Sequence, residues 1–152
     1  LLVHRIDREA AGLVIVAHSR TAAAHFSTLL RQGAIEKRYT VRVRGDLTRQ
    51  SSSGRITLEL DGKPAITEYE AVGYDAATDQ TLVRVRIRTG RFHQIRRHLA
   101  LIGFPVMGDP RYGQNNKNKT GLQLVADTLS FDCPFGGGRI LVQIDAEGLD
   151  RL

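Results

Sequence analysis

Asp7 stands between two arginines, Arg5 and Arg8, directly ahead of an apolar run. Positive charge on both sides favours the ionised form of a carboxylate. An ionised and firmly positioned aspartate can act as a nucleophile toward a sugar carbon. The alternative is an ion pair that ties a loop to a sheet, which is the commoner role of a single aspartate between arginines. The local sequence leaves both interpretations open.

A second group of polar side chains lies in Arg88–His98, where a strand, a glycine turn and a helix are predicted in that order. Basic and amide side chains would gather at the helix N-terminus, which favours anions such as phosphate. These side chains are Arg91, His93 and Gln94. Arg96 would lie at the border of the buried helix face, within reach of an inward carboxylate such as Asp7, and Arg97 would face solvent. An ordinary solvated basic helix explains the same spacing.

Other chemistries are disfavoured. The five histidines are scattered along the sequence. His93 and His98, the nearest pair, would lie about 140° apart around a helix and cannot share a metal ion. The sequence has no glycine-rich phosphate loop and no G-x-S-x-G nucleophile motif. The single cysteine, Cys133, excludes an internal disulfide and a thiolate metal cluster, and it fits a reducing compartment such as the cytoplasm. We expect no metal site.

The elements that must hold these side chains follow from hydrophobic periodicity. Apolar runs or period-two alternation predict strands at Gly12–Ala17 (buried on both faces), Lys37–Arg44, Ile56–Leu60, Ile66–Val72, Thr81–Arg88 and Arg139–Ile144. Asp61-Gly62 predicts a tight hairpin between the third and fourth of these. Tyr39 falls on the apolar face of its strand, so its hydroxyl needs a partner inside the fold or at the floor of a cleft.

Two helices are predicted between these strands. The first is capped by Ser19 or Thr21 and runs to about Gln32, with Gly33 as its left-handed C′ residue. The second carries its apolar side chains at a spacing of three and four and stops at Gly103. Those side chains are Phe92, Ile95, Leu99 and Ile102. Together the elements predict an α+β fold, a mixed, mostly antiparallel β-sheet with helices packed against it.

Composition sets the class of partner. The 152 residues fit one domain, and no apolar run approaches the roughly 20 residues that cross a bilayer. Lysine and arginine total 22 against 16 aspartate and glutamate, a net charge of +6. This excess favours a polyanion as partner, with nucleic acid ahead of a membrane. The alternative is that the charge only keeps the protein soluble.

Five stretches resemble, in order, the signature motifs of the RluA-type pseudouridine synthases. They are His4–Gly12 (HRIDREAAG), Lys37–Tyr39 (KRY), Gly62–Tyr69 (GKPAITEY), Thr89–Arg96 (TGRFHQIR) and Gly108–Gly113 (GDPRYG). The similarity runs from about residue 4 to residue 131. Any one stretch is a weak signal, but five in order are highly specific. The resemblance implies the pseudouridine synthase fold, as one catalytic domain over residues 1–152.

The resemblance also implies a reaction, the isomerisation of uridine in ribosomal or transfer RNA to pseudouridine without a cofactor. Asp7 would be the catalytic aspartate, acting on the ribose as nucleophile or base, and Arg96 would pair with it. Tyr39 would stack against the target base and assist proton removal from C5. Arg5 would fill the space that the flipped uridine leaves. The remaining RNA-binding residues would be Lys37, Arg88, Arg91, His93, Gln94 and Arg97, with Arg84 and Arg86 neutralising further phosphates. The default oligomeric state is a monomer.

Departures from the motifs leave a second hypothesis open. Ala10-Ala11 replace the Thr-Ser usual after the aspartate, and Val125 stands where the family often has a histidine. The chain begins at Leu1 without the earlier K-P-x-G-type motif, so it resembles an N-terminally incomplete catalytic domain. It also lacks an S4-like RNA-binding domain. The second hypothesis is a catalytically inactive RNA-binding module of the same fold, and the third is a basic structural protein of a ribonucleoprotein.

Overall fold

Strands from both ends of the sequence meet in one sheet. A computed structural model describes residues 1–146, and the end of the predicted domain, residues 147–152, lies outside the described residues. The strands are β1 (Ala11–Gly12), β2 (Glu36–Arg44), β3 (Ser53–Ile56), β4 (Thr67–Asp75), β5 (Gln80–Ile87), β6 (Leu124–Asp132) and β7 (Arg139–Gln143). Their order is β1-β6-β2-β5-β4-β3, and β7 pairs with β6. Among the described pairs only β1 and β6 are parallel, which confirms the mixed, mostly antiparallel sheet.

The main core lies on one face of the central strands β2, β5 and β4. Val41 of β2 and Val83 of β5 are buried there, and helix α2 (Gln94–Leu101) packs on them through Leu99. The predicted alternation is therefore confirmed, since the apolar positions of each strand point toward this helix. Tyr39 lies on the same face at the margin of the core, partly buried. The sheet thus brings Tyr39 beside the segment that leads into α2.

Helix α1 (Arg20–Arg31) has the caps that its sequence predicts. The Ser19 side chain accepts a hydrogen bond from the amide of Ala22 at 3.1 Å, and Gly33 follows the helix with φ of +66°. A glycine there avoids the steric cost of the left-handed region. The apolar side of α1 packs on a second core cluster around Phe131 of β6.

The Asp61-Gly62 turn is confirmed, although the strand before it is shorter than predicted. Both residues have positive φ, +55° and +73°, which is the type I′ geometry that such a pair favours. Strand β3 ends at Ile56, and Leu58 is 48% exposed. Leu60 bridges to Lys63 across the turn, so the predicted Ile56–Leu60 strand is present only in part.

Two sequence predictions are wrong. The Gly12–Ala17 run is not a strand buried on both faces, because only its beginning pairs with β6, and Val16 is 58% exposed beside Leu2. Phe92 does not belong to the buried face of α2, because the helix begins at Gln94. His93 takes a left-handed conformation with φ of +50°, so the helix does not extend back to Phe92, which is 56% exposed.

No helix among residues 1–146 is long and apolar enough to cross a bilayer. Within the same residues, no group of three or more histidine, cysteine, aspartate or glutamate side chains is arranged to hold a metal ion.

Candidate active site

A cavity of about 830 Å³ lies between three parts of the chain: the segment 4–10, the beginning of β2, and the segment 87–95 that joins β5 to α2. The predicted site residues that line it are Arg5, Asp7, Lys37, Tyr39, Arg88, Arg91, His93 and Gln94. The structure therefore brings together side chains that are far apart in sequence. Most of them come from loops at the ends of strands, where a rigid sheet commonly positions functional groups.

Arg96 lies behind this lining and is held by a carboxylate that the sequence analysis did not assign. Its side chain is 1% exposed, and its Nε and Nη2 donate hydrogen bonds to the two oxygens of Asp109 at 2.9 and 2.7 Å. Asp109 is fully buried and also accepts from the backbone amides of Arg111 and Tyr112 at 2.9 and 3.2 Å. A two-point pairing of this kind fixes the orientation of a guanidinium.

The remaining nitrogen of Arg96 is directed at two carboxylates of the cavity. Nη1 lies 3.4 Å from Oδ2 of Asp7 and 3.4 Å from Oε2 of Glu9. Both distances exceed the 2.7–2.9 Å typical of a well-formed charge-assisted hydrogen bond. The predicted Asp7–Arg96 pair is therefore present as a long contact, and Arg96 serves Glu9 equally. Asp7 remains 23% exposed toward the cavity.

Opposing effects act on the two buried ionised groups. Burial by itself lowers the pKa of Arg96, but the hydrogen bonds and charge of Asp109 outweigh it, with Asp7 adding to them, so the net pKa is raised. Burial likewise tends to raise the pKa of Asp109, and the hydrogen bonds from Arg96 and the two backbone amides reverse that, so its net pKa is lowered. Both groups are charged at neutral pH.

Tyr39 presents a protonated phenol to the cavity. Burial is the main cause that raises the pKa of its hydroxyl, and the negative charge of Asp7 adds to the shift. Both effects penalise the phenolate. The predicted inward orientation of Tyr39 thus places an apolar ring with a neutral hydroxyl near the Asp7 carboxylate.

Gln94, which was predicted to bind RNA, has its side-chain amide engaged in hydrogen bonds within the fold. The residue is 3% exposed, and its amide nitrogen donates to the Ile66 carbonyl at 2.9 Å and to the Thr67 hydroxyl at 3.1 Å. Its amide oxygen accepts from the Thr89 hydroxyl at 2.9 Å and the Arg91 amide at 3.1 Å. A glutamine amide has two donors and two acceptor positions, so this set uses all of them.

The other predicted cations divide into two groups. Arg88 and Arg91 line the cavity, where Arg91 also donates to the Pro64 carbonyl at 2.8 Å. Arg97 does not turn freely to solvent, because it donates two hydrogen bonds to Asp61 at 3.0 and 3.1 Å. Among the cavity residues, Nδ1 of His93 and the hydroxyl of Tyr112 share a hydrogen bond of 2.9 Å. The backbone of His93 is in the left-handed region.

Arg84 and Arg86 are on the opposite face of the sheet, so the structure does not bring them to this cavity. They alternate with Val83 and Val85, which face α2, and they line a separate cavity of about 960 Å³. Arg86 donates to Glu68 at 2.9 Å across the strand pair. Its charge is therefore used in the sheet.

Backbone bonding compensates in part for the small residues after Asp7. The Ala10 amide donates to the Asp7 carbonyl at 2.9 Å, which closes the loop without the hydroxyls that are absent at Ala10 and Ala11. Gly12 is required at the next step, because a Cβ there would lie 2.1 Å from the carbonyl oxygen of Ala126. The loop can thus hold its shape through main-chain contacts.

Comparison with known proteins decides the family. The family model described as RNA pseudouridylate synthase matches residues 1–101, which include Asp7, Tyr39 and Arg96. The chain belongs to the RNA pseudouridylate synthase family. The sequence resemblance to this family is thereby confirmed.

Curated relatives in this synthase family extend the match along the chain. An uncharacterized RNA pseudouridine synthase of Bacillus subtilis, YlyB, is 36% identical over 149 residues, covering 90% of this chain and 48% of the relative. Ribosomal large subunit pseudouridine synthase D of Nitrosomonas europaea is 33% identical over 126 residues, covering 76% of this chain and 36% of the relative. The chain therefore spans about half or less of the length of these relatives.

Solved structures support the synthase fold. The human RNA pseudouridylate synthase domain containing 1 superimposes with a TM-score of 0.81 at 23% identity, over 95% of this chain and 68% of that one. The human domain containing 4 gives a TM-score of 0.75 at 20% identity. At these identities the likeness establishes the fold.

Asp109 and Glu9 are the residues at this synthase site that the sequence analysis missed. Asp109 lies within the GDPRYG stretch, so the family motif contains this residue. Its pairing with Arg96 could not be predicted, because a separation of 13 residues matches neither the helix period nor the strand period. Glu9 lies in the His4–Gly12 stretch, two residues after Asp7, and no motif assigns it a role. Its distance to Arg96 depends on how segment 4–10 folds, which local sequence does not determine.

Proposed function

We propose that this chain is the catalytic domain of an RNA pseudouridine synthase that isomerises uridine in ribosomal RNA. The single observation that carries the proposal is the arrangement of Asp7 and Tyr39 in one cavity, with the buried Arg96 guanidinium 3.4 Å behind the Asp7 carboxylate. An anchored cation stabilises an ionised carboxylate, and a cavity of about 830 Å³ has room for an extruded pyrimidine nucleoside.

In the proposed reaction Asp7 acts on the ribose of the target nucleotide, as nucleophile or as base. The bond between N1 and C1′ breaks, a bond between C5 and C1′ forms, C5 loses a proton and N1 gains one, so that no atom is added or lost. Tyr39 stacks against the uracil and assists removal of the C5 proton. Since the reaction is an isomerisation, it needs no cofactor.

The proposed substrate is structured RNA with an accessible uridine. Extruding a base costs a few kcal/mol in a duplex and less in a loop. Arg5 would fill the vacated space, while Lys37, Arg88, Arg91 and His93 line the cavity and would contact the nucleotide. Arg97 would contribute to RNA binding only after leaving Asp61. Ribosomal RNA is favoured over transfer RNA because five curated relatives carry ribosomal large-subunit synthase names. We place this activity in the cytoplasm, with the protein as a monomer.

The proposal is tested by incubating the full chain with unmodified ribosomal RNA and detecting pseudouridine by chemical derivatisation and mass spectrometry. Wild-type protein is expected to form pseudouridine at one or a few positions. Asp7→Asn is expected to retain RNA binding and to lose at least about 10⁴-fold in rate, as removal of a nucleophile does in other enzymes. Isomerisation by Asp7→Asn at the wild-type rate would contradict the assigned role of Asp7.

A second candidate function is an RNA-binding module without catalysis. The observation in its favour is the absence of side-chain hydroxyls at Ala10 and Ala11 together with the long contact between Asp7 and Arg96. The same assay separates the two candidates, because a binding module retains RNA on a filter and forms no pseudouridine. If the missing hydroxyls cause the inactivity, replacing Ala10-Ala11 by Thr-Ser should restore pseudouridine formation.

A further inference from the structure

Lys37 differs from the other buried charged side chains of residues 1–146. It is 9% exposed and lines the Asp7 cavity, yet no hydrogen bond or ion pair joins its amine to any described residue. The other buried ionised groups are paired: Glu36 with Arg38 at 2.5 Å, and Arg96 with Asp109 at 2.7 Å. Lys37 is thus a nearly buried side chain whose amine reaches the solvent of the cavity without a protein partner.

The surroundings of Lys37 disfavour its charged form. Burying a charge without a partner penalises the charged form, and burial does lower the pKa of Lys37. The neighbouring carboxylates do not relieve it, because Asp7 and Glu9 are directed at Arg96. Groups of this kind cluster where a ligand of opposite charge completes the site.

Gly90 provides the room that the amine occupies. A Cβ on Gly90 would lie 3.0 Å from Nζ of Lys37, and that amine is its one contact within 4 Å. Gly90 is not among the glycines with positive φ, so its backbone does not itself require glycine. The glycine therefore leaves space at the amine rather than relieving backbone strain. Arg88 and Arg91 flank this position on the same wall, where Arg88 also pairs with Glu36 at 3.5 Å.

We propose that Lys37 and the Gly90 turn form a binding site for one phosphodiester group of the RNA, beside the extruded uridine. A phosphodiester carries one negative charge spread over two oxygens, which suits an ammonium that has three donors and no other partner. The placement beside the uridine rests on the proposed function. The anion site itself rests on the burial of Lys37 and the space at Gly90.

The test measures binding of a structured ribosomal RNA fragment by the Lys37→Met variant of the whole 152-residue chain at several salt concentrations. Methionine matches the apolar stem of lysine and removes the charge. Loss of one phosphate contact should reduce the slope of log K against log salt by about 0.7–0.9, and weaken binding about tenfold or more at low salt. Lys119→Met, which removes the same charge at an exposed position outside the cavity, is the matched control and should change the slope less.

Gly90→Ala tests the same site without removing any charge. The new methyl group should displace the amine by a few tenths of an ångström and weaken RNA binding, but by less than Lys37→Met. Combined with Lys37→Met it should add little, because both changes act on one contact. Gly73→Ala is the control, since nothing lies within 4 Å of its Cβ position and its φ is not positive. If circular dichroism shows that Lys37→Met does not fold, the Gly90→Ala variant still tests the site.

The possible outcomes separate this site from the proposed function. Equal salt slopes for wild type, Lys37→Met and Gly90→Ala would overturn the phosphate site even if pseudouridine is formed. A loss in kcat with unchanged binding and slope would also overturn it, because the amine would then act on the base. A Lys37-dependent slope in a protein that forms no pseudouridine would support the site and contradict the proposed function.

Discussion

On one side of the Arg96 guanidinium, Asp109 is fully buried and accepts two hydrogen bonds from it at 2.7 and 2.9 Å. On the other side, Asp7 is partly exposed and receives one contact at 3.4 Å. Asp109 also accepts from two backbone amides through Oδ1, so four hydrogen bonds hold this carboxylate. Asp7 keeps lone pairs that face the cavity. One carboxylate therefore anchors the arginine, and the other is positioned by it and remains available for chemistry.

Removing the Asp109–Arg96 pair should have the largest effect on the stability of the fold. Asp109→Asn leaves the Arg96 charge buried without its partner, which in other proteins costs about 3–5 kcal/mol. We expect the free energy of unfolding in a urea titration to fall by that amount, and pseudouridine formation to fall with it because Arg96 loses its orientation. Asp7→Asn, by contrast, should change the unfolding free energy by less than about 1 kcal/mol. Similar losses for the two variants would contradict the distinction.

In the Asp7 cavity, Tyr39→Phe distinguishes the contribution of the ring from that of the hydroxyl. Phenylalanine keeps the stacking surface, so RNA affinity should be retained. If the hydroxyl assists proton transfer, kcat should fall about 10²–10⁴-fold, the usual contribution of a general acid or base. Tyr39→Leu removes the ring as well and should weaken binding further. An unchanged kcat for Tyr39→Phe would assign Tyr39 to stacking alone.

The stability of the fold around His98 of α2 should also depend on pH. His98 is buried, with Nε2 donating to the Leu58 carbonyl at 2.7 Å and Nδ1 accepting from the Thr67 hydroxyl at 2.8 Å. Burial is the main cause that lowers the pKa of His98. The unfolded chain therefore binds the proton first, and stability is complete above about pH 6.5 and is lost as pH falls below it, by at most about 1.4 kcal/mol per pH unit.

Urea titrations between pH 7.5 and pH 5 check this dependence. His98→Asn should be less stable at pH 7.5 but should show a flatter slope below pH 6.5. The slope should not vanish, because burial also lowers the pKa of His4 and His93. A steeper slope in His98→Asn would mean that the native histidine is protonated.

The smallest effect is expected at Arg97, the next residue after Arg96 in α2. Arg97 pairs with Asp61, which is largely exposed, and exposed pairs contribute about 0–1 kcal/mol. Arg97→Gln should therefore change the unfolding free energy by less than about 1 kcal/mol and leave kcat within about twofold. A large loss of RNA affinity in this variant would instead support the RNA-binding role that the sequence predicted for it.

Local periodicity predicted much of the frame that carries these residues. β5 alternates buried with less buried residues, and β2 does so from Val41 onward. The Asp61-Gly62 turn has a strong local signal, so these elements follow from short stretches of sequence. Strand β6 was not predicted. Its end, from Thr128 to Phe131, is buried on consecutive residues, and its register with β2 shifts at Arg38/Tyr39, so its pattern is irregular.

The candidate site was predictable as a set of residue types rather than as a geometry. Local charge, the apolar strand face and the family resemblance predicted Asp7, Tyr39 and Arg96 as site residues. The fold does bring Asp7 and Tyr39 to one cavity. The Asp109 anchor and the burial of Gln94 were not predictable, since both depend on contacts between loops distant in sequence. Local sequence specifies which side chains a loop carries, whereas tertiary packing determines whether they face a ligand.

The most direct test compares single-turnover pseudouridine formation by Asp7→Asn and Glu9→Gln, the two carboxylates that lie equally far from Nη1 of Arg96. Both substitutions remove one negative charge at the same arginine, so a general electrostatic effect would appear in both. Our account predicts a loss of at least about 10⁴-fold for Asp7→Asn and less than about tenfold for Glu9→Gln. Equal rates for the two variants, or a larger loss for Glu9→Gln, would contradict it.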